Sequence, residues 1–94
     1  MSPMRRHISL MGMPLDEWTY RSCLAHFGTG ADWATLYDIR STQEGQGHAT
    51  TLLQAAKAVY EAQGKVVWGS VALHERMQAL YRKVGIPEVG EEGV

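Results

Sequence analysis

Two strand-like segments flank one strongly amphipathic stretch, and this arrangement constrains the fold more than any other feature of the sequence. In residues 48–63 the apolar positions recur at offsets of 0, 3, 4, 7, 10 and 11 from the first, which is the spacing of one helix face, and Gly64 follows where a C-terminal cap belongs. Residues 33–39 are rich in β-branched and aromatic residues and carry few charges. Such a segment is typical of a strand covered on both faces. Residues 65–70 predict the next strand. Together the three elements predict a right-handed parallel crossover.

The N-terminal third of the chain is assigned from the same periodicities. Residues 7–13 predict a strand with alternating apolar positions. Residues 15–27 predict a helix, because their apolar residues recur at roughly helical spacing and Asp16 is a good N-cap. Gly28 is expected to end that helix, and residues 28–30 to form a loop.

The C-terminal part of the sequence predicts another helix and a last short strand. Residues 74–84 place apolar side chains on one helix face, and Gly85 follows as a stop signal. Residues 86–89 predict the strand. The chain is therefore expected to fold as an α/β protein of the α+β kind, with a mixed sheet.

Bulk composition bounds the class of protein. The 94 residues are 45% hydrophobic and 20% charged, as expected for a single globular domain over residues 1–94. Nine Lys and Arg residues against ten Asp and Glu residues give no support for nucleic-acid binding. The lone Cys23 cannot form an internal disulfide, which favours a reducing compartment, the cytoplasm, and no metal is expected. Residues 7–13 are too short an apolar run to span a bilayer, so no membrane role is expected.

A glycine-containing loop precedes the helix predicted over residues 48–63. Gly45, Gly47 and Ala49 lie where unpaired N–H groups at a helix start can bind an anion, and small residues let that anion come close. The loop lacks the Lys-Ser/Thr ending of a P-loop and the glycine spacing of the dinucleotide fingerprint. A tight turn without a ligand is the alternative interpretation.

Two segments resemble the motifs of one enzyme superfamily. Residues 45–53, Gly-Gln-Gly-His-Ala-Thr-Thr-Leu-Leu, resemble the acetyl-coenzyme A loop of the GNAT N-acetyltransferases, and residues 80–86, Leu-Tyr-Arg-Lys-Val-Gly-Ile, resemble a later motif of the same family. Their order and separation are also typical of it. The resemblance covers residues 33–89, and implies a GNAT-like fold with a reduced N-terminal part, residues 1–32, and a tail, residues 90–94.

The resemblance implies acetyl-CoA as acyl donor, bound through the end of the strand before the glycine loop and through the loop amides. It assigns the cofactor to eight residues: Ile39, Glu44, Gly45, Gln46, Gly47, His48, Ala49 and Thr50. Three positions depart from the family pattern, namely Glu44 for Arg or Gln, His74 for Asn, and Ile86 for Phe. The short N-terminal part leaves little to shape an acceptor pocket, which a second subunit in a homodimer would complete.

Candidate catalytic residues follow from the same resemblance. Tyr81 matches the residue that protonates the departing thiolate, and its alternative role is packing on the apolar helix face. Asp32 and Asp38 are candidates for the base, although Asp residues at strand ends ordinarily serve as solubilising groups. His74 is a third catalytic candidate because it titrates near neutrality and precedes the Tyr81 helix, whereas His48 is expected to line the glycine loop.

The sequence thus favours an acetyl-CoA-dependent N-acyltransferase acting on an amine of a small molecule or a protein. The alternative is an acyl-CoA-binding or protein-interaction module that keeps the fold and has lost the acceptor site.

Overall fold

One five-stranded mixed sheet carries both helices on the same face. The structure, a computed structural model, describes residues 2–42, 47–70 and 75–88. Its elements, in chain order, are β1 (Met4–Leu10), β2 (Met13–Tyr20), β3 (Cys23–Thr29), β4 (Trp33–Ser41), α1 (His48–Ala62), β5 (Val66–Gly69) and α2 (Glu75–Val84). The strands lie in sequence order, antiparallel from β1 to β4 and parallel between β4 and β5. The predicted α+β class with a mixed sheet and the predicted parallel crossover are confirmed.

The predicted helix over residues 15–27 is wrong. This segment forms β2 and β3, joined by a turn in which Arg21 has a φ of 53°. From Cys23 to Phe27 burial in β3 alternates, with Cys23, Ala25 and Phe27 buried and the two residues between them half-buried. That period of two is the signature of a strand with one covered face. The predicted loop at residues 28–30 is also wrong in part, since Gly28 lies inside β3.

The first strand exists but occupies different residues from those predicted. The prediction placed it at residues 7–13, whereas β1 ends at Leu10. Met11 and Gly12 form the hairpin turn with φ values of 52° and 80°, and Met13 begins β2. The N-terminal part therefore supplies three antiparallel strands instead of one strand and one helix.

The helix predicted over residues 48–63 is confirmed, and α1 ends one residue earlier. Gly64 follows with a φ of 79°, a left-handed conformation that favours glycine after a helix C-terminus. The buried positions of α1 pack on the sheet, and they are Leu52, Leu53, Ala56 and Tyr60.

The two faces of the sheet differ. Residues 33–39 were expected to be covered on both sides, but Trp33 and Tyr37 are exposed on the face opposite the helices. Ala34 and Leu36 alternate with them and are fully buried against the helical layer. The expectation of a doubly covered strand is thus corrected, because none of the described residues forms a layer on that second face.

The C-terminal helix packs on β5 and on α1. Tyr81 and Val84 are its buried residues, and Gly85 follows with a φ of 83°. His74, the predicted first residue, lies outside the described residues. The strand expected at residues 86–89 is present as a single parallel bridge from Glu88 to Gly69, and Val89 is also outside the described part. Neither of the two helices is both long and apolar enough to cross a bilayer, as judged over the described residues.

Candidate functional site

An open groove of about 980 Å³ lies where β4 ends, α1 begins and α2 crosses above them. It is lined by residues 39–41 of β4, by residues 47–50 at the start of α1, and by one face of α2 that includes Met77 and Leu80. The groove therefore joins the two sequence segments that carry the family resemblance.

The groove exists because β4 is longer than its parallel partner. Strand pairing between β4 and β5 stops at Leu36 and Gly69. Just beyond it, the N–H of Ser70 donates to the carbonyl oxygen of Leu36 at 3.0 Å, and the Ser70 hydroxyl donates to the carbonyl of Tyr37 at 3.3 Å. As far as the described residues show, β4 from Ile39 onward has β3 on one side and the groove on the other.

A β-bulge at Tyr37 sets which backbone groups face the groove. His26 and Phe27 of β3 pair with Asp38 and Leu36, so Tyr37 is the extra residue of β4. Thr42 donates its N–H toward β3, to the carbonyl of Ser22 at 3.3 Å. Because backbone direction alternates along a strand, the N–H and C=O of Ile39 point away from β3, toward the groove.

The start of α1 presents uncapped backbone to the same groove. Gly47 is the N-cap, with a φ of 76°, and no side chain in the described part of the chain caps the helix. The first helical hydrogen bond runs from the N–H of Thr51 to the carbonyl of Gly47 at 3.1 Å. The N–H groups of residues 48–50 thus have no acceptor within the helix. A Cβ at Gly47 would meet nothing within 4 Å, so the backbone there is approachable from outside.

The residues of the groove carry more positive than negative charge. Among the described residues that line it, Arg40, Arg76 and Lys83 are basic and Glu75 is acidic. Arg40 also lies 3.7 Å from the Asp38 carboxylate through its Nε. With the helix N-terminus, these side chains make the groove electrostatically suited to an anionic ligand.

His48 is held by a hydroxyl that sequence reasoning missed. Its Nδ1 lies 3.2 Å from Oγ of Ser22, which in turn lies 3.4 Å from Oγ of Ser41. The ring of Tyr20 packs edge-on against the imidazole, with 5.8 Å between centroids. Ser22 belongs to the turn between β2 and β3, and no local pattern links it to His48, so only the topology brings them together.

Tyr81 lies beside the C-terminal end of β5 and is not among the residues that line the groove. Its hydroxyl donates to the carbonyl of Ser70 at 2.9 Å, and its ring covers Gly69 so closely that a Cβ there would overlap it. Burial raises the pKa of Tyr81, the side chain of Ser70 opposes this effect, and the nearby Glu88 carboxylate adds to it. Tyr81 therefore packs in the core and places a protonated hydroxyl next to the end of β5.

The other predicted residues are only partly brought together. Ile39 and residues 47–50 line the groove. Glu44, Gly45 and Gln46, and the catalytic candidate His74, lie outside the described residues. Asp32 precedes β4, at the opposite end of that strand from the groove, and its carbonyl accepts the N–H of Val66 at 2.9 Å. The structure does not bring Asp32 to the site.

Asp38 lies on the sheet face that has no helices. Its carboxylate is 2.9 Å from Nδ1 of His26, whose Nε2 is 3.1 Å from the carboxylate of Glu17. The carboxyl group of Asp38 is thus engaged in a cross-strand network.

No group of three or more metal-ligating side chains occurs within residues 2–42, 47–70 and 75–88. Comparisons with protein-family models, with curated proteins and with solved structures find no match to this chain.

Proposed function

We propose that this protein is an acetyl-CoA-dependent N-acyltransferase with a GNAT-like fold, and that its acyl donor lies in the groove between β4, α1 and α2. The observation that carries the proposal is the end of β4 that extends beyond its described pairing with β5, beside a helix N-terminus that no described side chain caps. Leu36 and Gly69 are the last paired residues, and Gly47 begins the helix just beyond the open end of β4.

The chemical features of the groove match the parts of coenzyme A in order. The backbone of Ile39 offers a donor and an acceptor to the amides of the pantetheine arm, as an added strand would. The N–H groups of residues 48–50 offer donors to the pyrophosphate, and the approachable backbone at Gly47 lets it come close. Arg76 and Lys83 add positive charge on the α2 side.

The reaction requires little from the protein beyond orientation and one proton. The acceptor nitrogen attacks the thioester carbonyl carbon, the carbon–sulfur bond breaks, and the thiolate takes up a proton. Tyr81 is the best-placed donor of that proton, because its hydroxyl lies beside the end of β5 and burial favours its protonated form. The described carboxylate near Tyr81 is that of Glu88. Glu88 is not among the residues that line the groove, so the base is assigned to the acceptor's own loss of a proton to water.

One observation favours a second candidate, an acyl-CoA-binding module without turnover. The Tyr81 proton is already donated to the carbonyl of Ser70 at 2.9 Å, and Asp32 lies at the far end of β4. In this candidate the groove holds the ligand, and the hydrogen bond between Tyr81 and Ser70 at the end of β5 has a structural role.

Two measurements in series test these proposals. Isothermal titration with acetyl-CoA is expected to give saturable binding at one site per chain. Free thiol released from acetyl-CoA in the presence of a panel of amines then separates the enzyme, which releases thiol, from the binding module, which does not. If acetyl-CoA failed to bind, both candidates would be wrong and the groove would have another ligand.

A further inference from the structure

The sheet face opposite the helices carries a continuous band of exposed apolar side chains. The band consists of Leu10, Met13, Trp33, Tyr37 and Val66, each between 39% and 53% exposed. Leu10 is paired across strands with Met13, and Trp33 with Val66. The band therefore runs from one edge of the sheet to the other.

Alternation along the strands shows that these side chains share one face. In β2, Asp16 and Trp18 contact Tyr60 of α1, so Met13 lies on the other face. In β4, Ala34 packs in the helical layer and its neighbour Trp33 does not.

Two aromatic rings fill gaps in the middle of the band. A Cβ at Gly28 would overlap the ring of Tyr37, and a Cβ at Gly30 would overlap the indole of Trp33. Each ring thus occupies the space over a position without a side chain, and the centre of the face is aromatic. Aromatic side chains are enriched in interface cores.

We propose that this face, centred on the apolar band, packs against the same face of a second copy of the chain. The sheet is about 24 Å across its five strands and about 23 Å along them. The projected area of the face is therefore roughly 550 Å², and the uneven surface of the side chains adds to the accessible area. Stable dimers bury about 600 to 1,000 Å² per partner. The whole face is therefore needed, and a second copy supplies a surface of equal size.

The charges next to the band favour an uncharged partner surface. A cross-strand ladder runs through Arg6, Glu17, His26 and Asp38. The Glu17 carboxylate lies 2.5 Å from Arg6 and 3.1 Å from Nε2 of His26, and the Asp38 carboxylate lies 2.9 Å from Nδ1 of His26. Each carboxylate thus already faces a basic group. A strongly charged partner would find no unmatched charge to pair with. The chain's net charge of -1 also leaves little repulsion between two copies.

Sedimentation equilibrium over a range of protein concentrations tests this interface. The parent is expected to give the mass of two 10.4-kDa chains. Met13→Glu and Val66→Glu each place a charge in the band, and we expect them to weaken the dimer at least about 30-fold. Met11→Glu is the matched control, since Met11 is fully exposed at the hairpin turn outside the band, and it should dimerise like the parent.

A second measurement uses the parent alone. Acrylamide quenching of its tryptophan fluorescence should fall as concentration rises, because Trp33 becomes covered at the interface. A parent that stays monomeric, or band variants that dimerise as tightly as Met11→Glu, would overturn the proposal. So would a monomeric parent that instead binds phosphatidylcholine vesicles, because the face would then serve a lipid surface.

Discussion

Tyr60 of α1 donates a 2.6 Å hydrogen bond to Oδ2 of Asp16, a carboxylate buried in β2 and separated from it by 44 positions in the chain. The same hydroxyl accepts the indole N–H of Trp18 at 2.9 Å. Nδ1 of His7 lies 2.5 Å from the other carboxylate oxygen. The network joins β1 and β2 to the helix, and burial, together with the neighbouring Asp16, holds the pKa of Tyr60 above its usual value.

Tyr60→Phe is expected to destabilise the fold by about 2–4 kcal/mol, because it removes the hydrogen-bond partner of Oδ2 of the buried Asp16 carboxylate and that of the Trp18 indole N–H. Urea denaturation followed by circular dichroism measures the change. The control is Tyr20→Phe, which removes a hydroxyl bonded only to the exposed side chain of Arg21 and should cost well under about 1 kcal/mol. Equal stability of the two variants would contradict the role given to the buried network.

The ladder on the open face makes stability depend on pH through Glu17. Its hydrogen bond with His26, and then that from Arg6, lower the pKa of Glu17 below its ordinary value of 4.5. A carboxyl group whose pKa is lower in the folded state stabilises the fold above its unfolded pKa, and this contribution disappears as pH falls through the folded value. We expect the melting temperature to fall from about pH 5 downward, and Glu17→Gln to flatten that fall. His26→Gln, which removes the largest cause, should flatten it as well; an unchanged slope in both variants would exclude Glu17 as the source.

Local periodicity predicted α1, its parallel strands and the glycine stops, because those elements are specified by neighbours within a few positions. It failed at residues 15–27, where Asp16 resembles a helix N-cap but serves as the acceptor for Tyr60. Half of the candidate site was also predictable, since residues 47–50 follow from the loop motif. Ser22 was not, because its contact with His48 depends on two turns that meet only in the folded sheet.

Two glycines covered by aromatic rings should respond differently to the same substitution. Gly69→Ala would drive a methyl group into the ring of Tyr81, which is fully packed between β5 and α2, and should cost about 1–3 kcal/mol. Gly28→Ala would meet the ring of Tyr37, which is exposed and can swing away, so we expect a cost below about 1 kcal/mol. Thermal denaturation measures the loss of stability in each variant. A larger loss in Gly28→Ala than in Gly69→Ala would show that the Tyr37 ring is held at least as firmly as that of Tyr81.

Gly47→Glu should reduce acetyl-CoA affinity at least about tenfold, because it places bulk and negative charge where a pyrophosphate would meet backbone amides. Gly64→Glu is the matched control. Gly64 has a nearly identical φ, with open space beyond its Cα, but it lies at the other end of α1. Both variants should show the same strain of about 1 kcal/mol, and only Gly47→Glu should lose binding by isothermal titration. Equal acetyl-CoA affinities in the two variants would show that the anion does not bind at the start of α1.

Tyr81→Phe is expected to lower acyl transfer by roughly 10²-fold in the chemical step while leaving acetyl-CoA affinity nearly unchanged, because the ring still covers Gly69 and only the proton donor is lost. Tyr60→Phe is the control for loss of a buried hydroxyl, since ten helical residues, about 15 Å, separate it from the groove. Single-turnover measurements are needed because slow product release would hide the effect in the steady state. If both variants turned over at the parent's rate, the Tyr81 hydroxyl would serve only to hold the carbonyl of Ser70, and the protein would fit the binding module better than the enzyme.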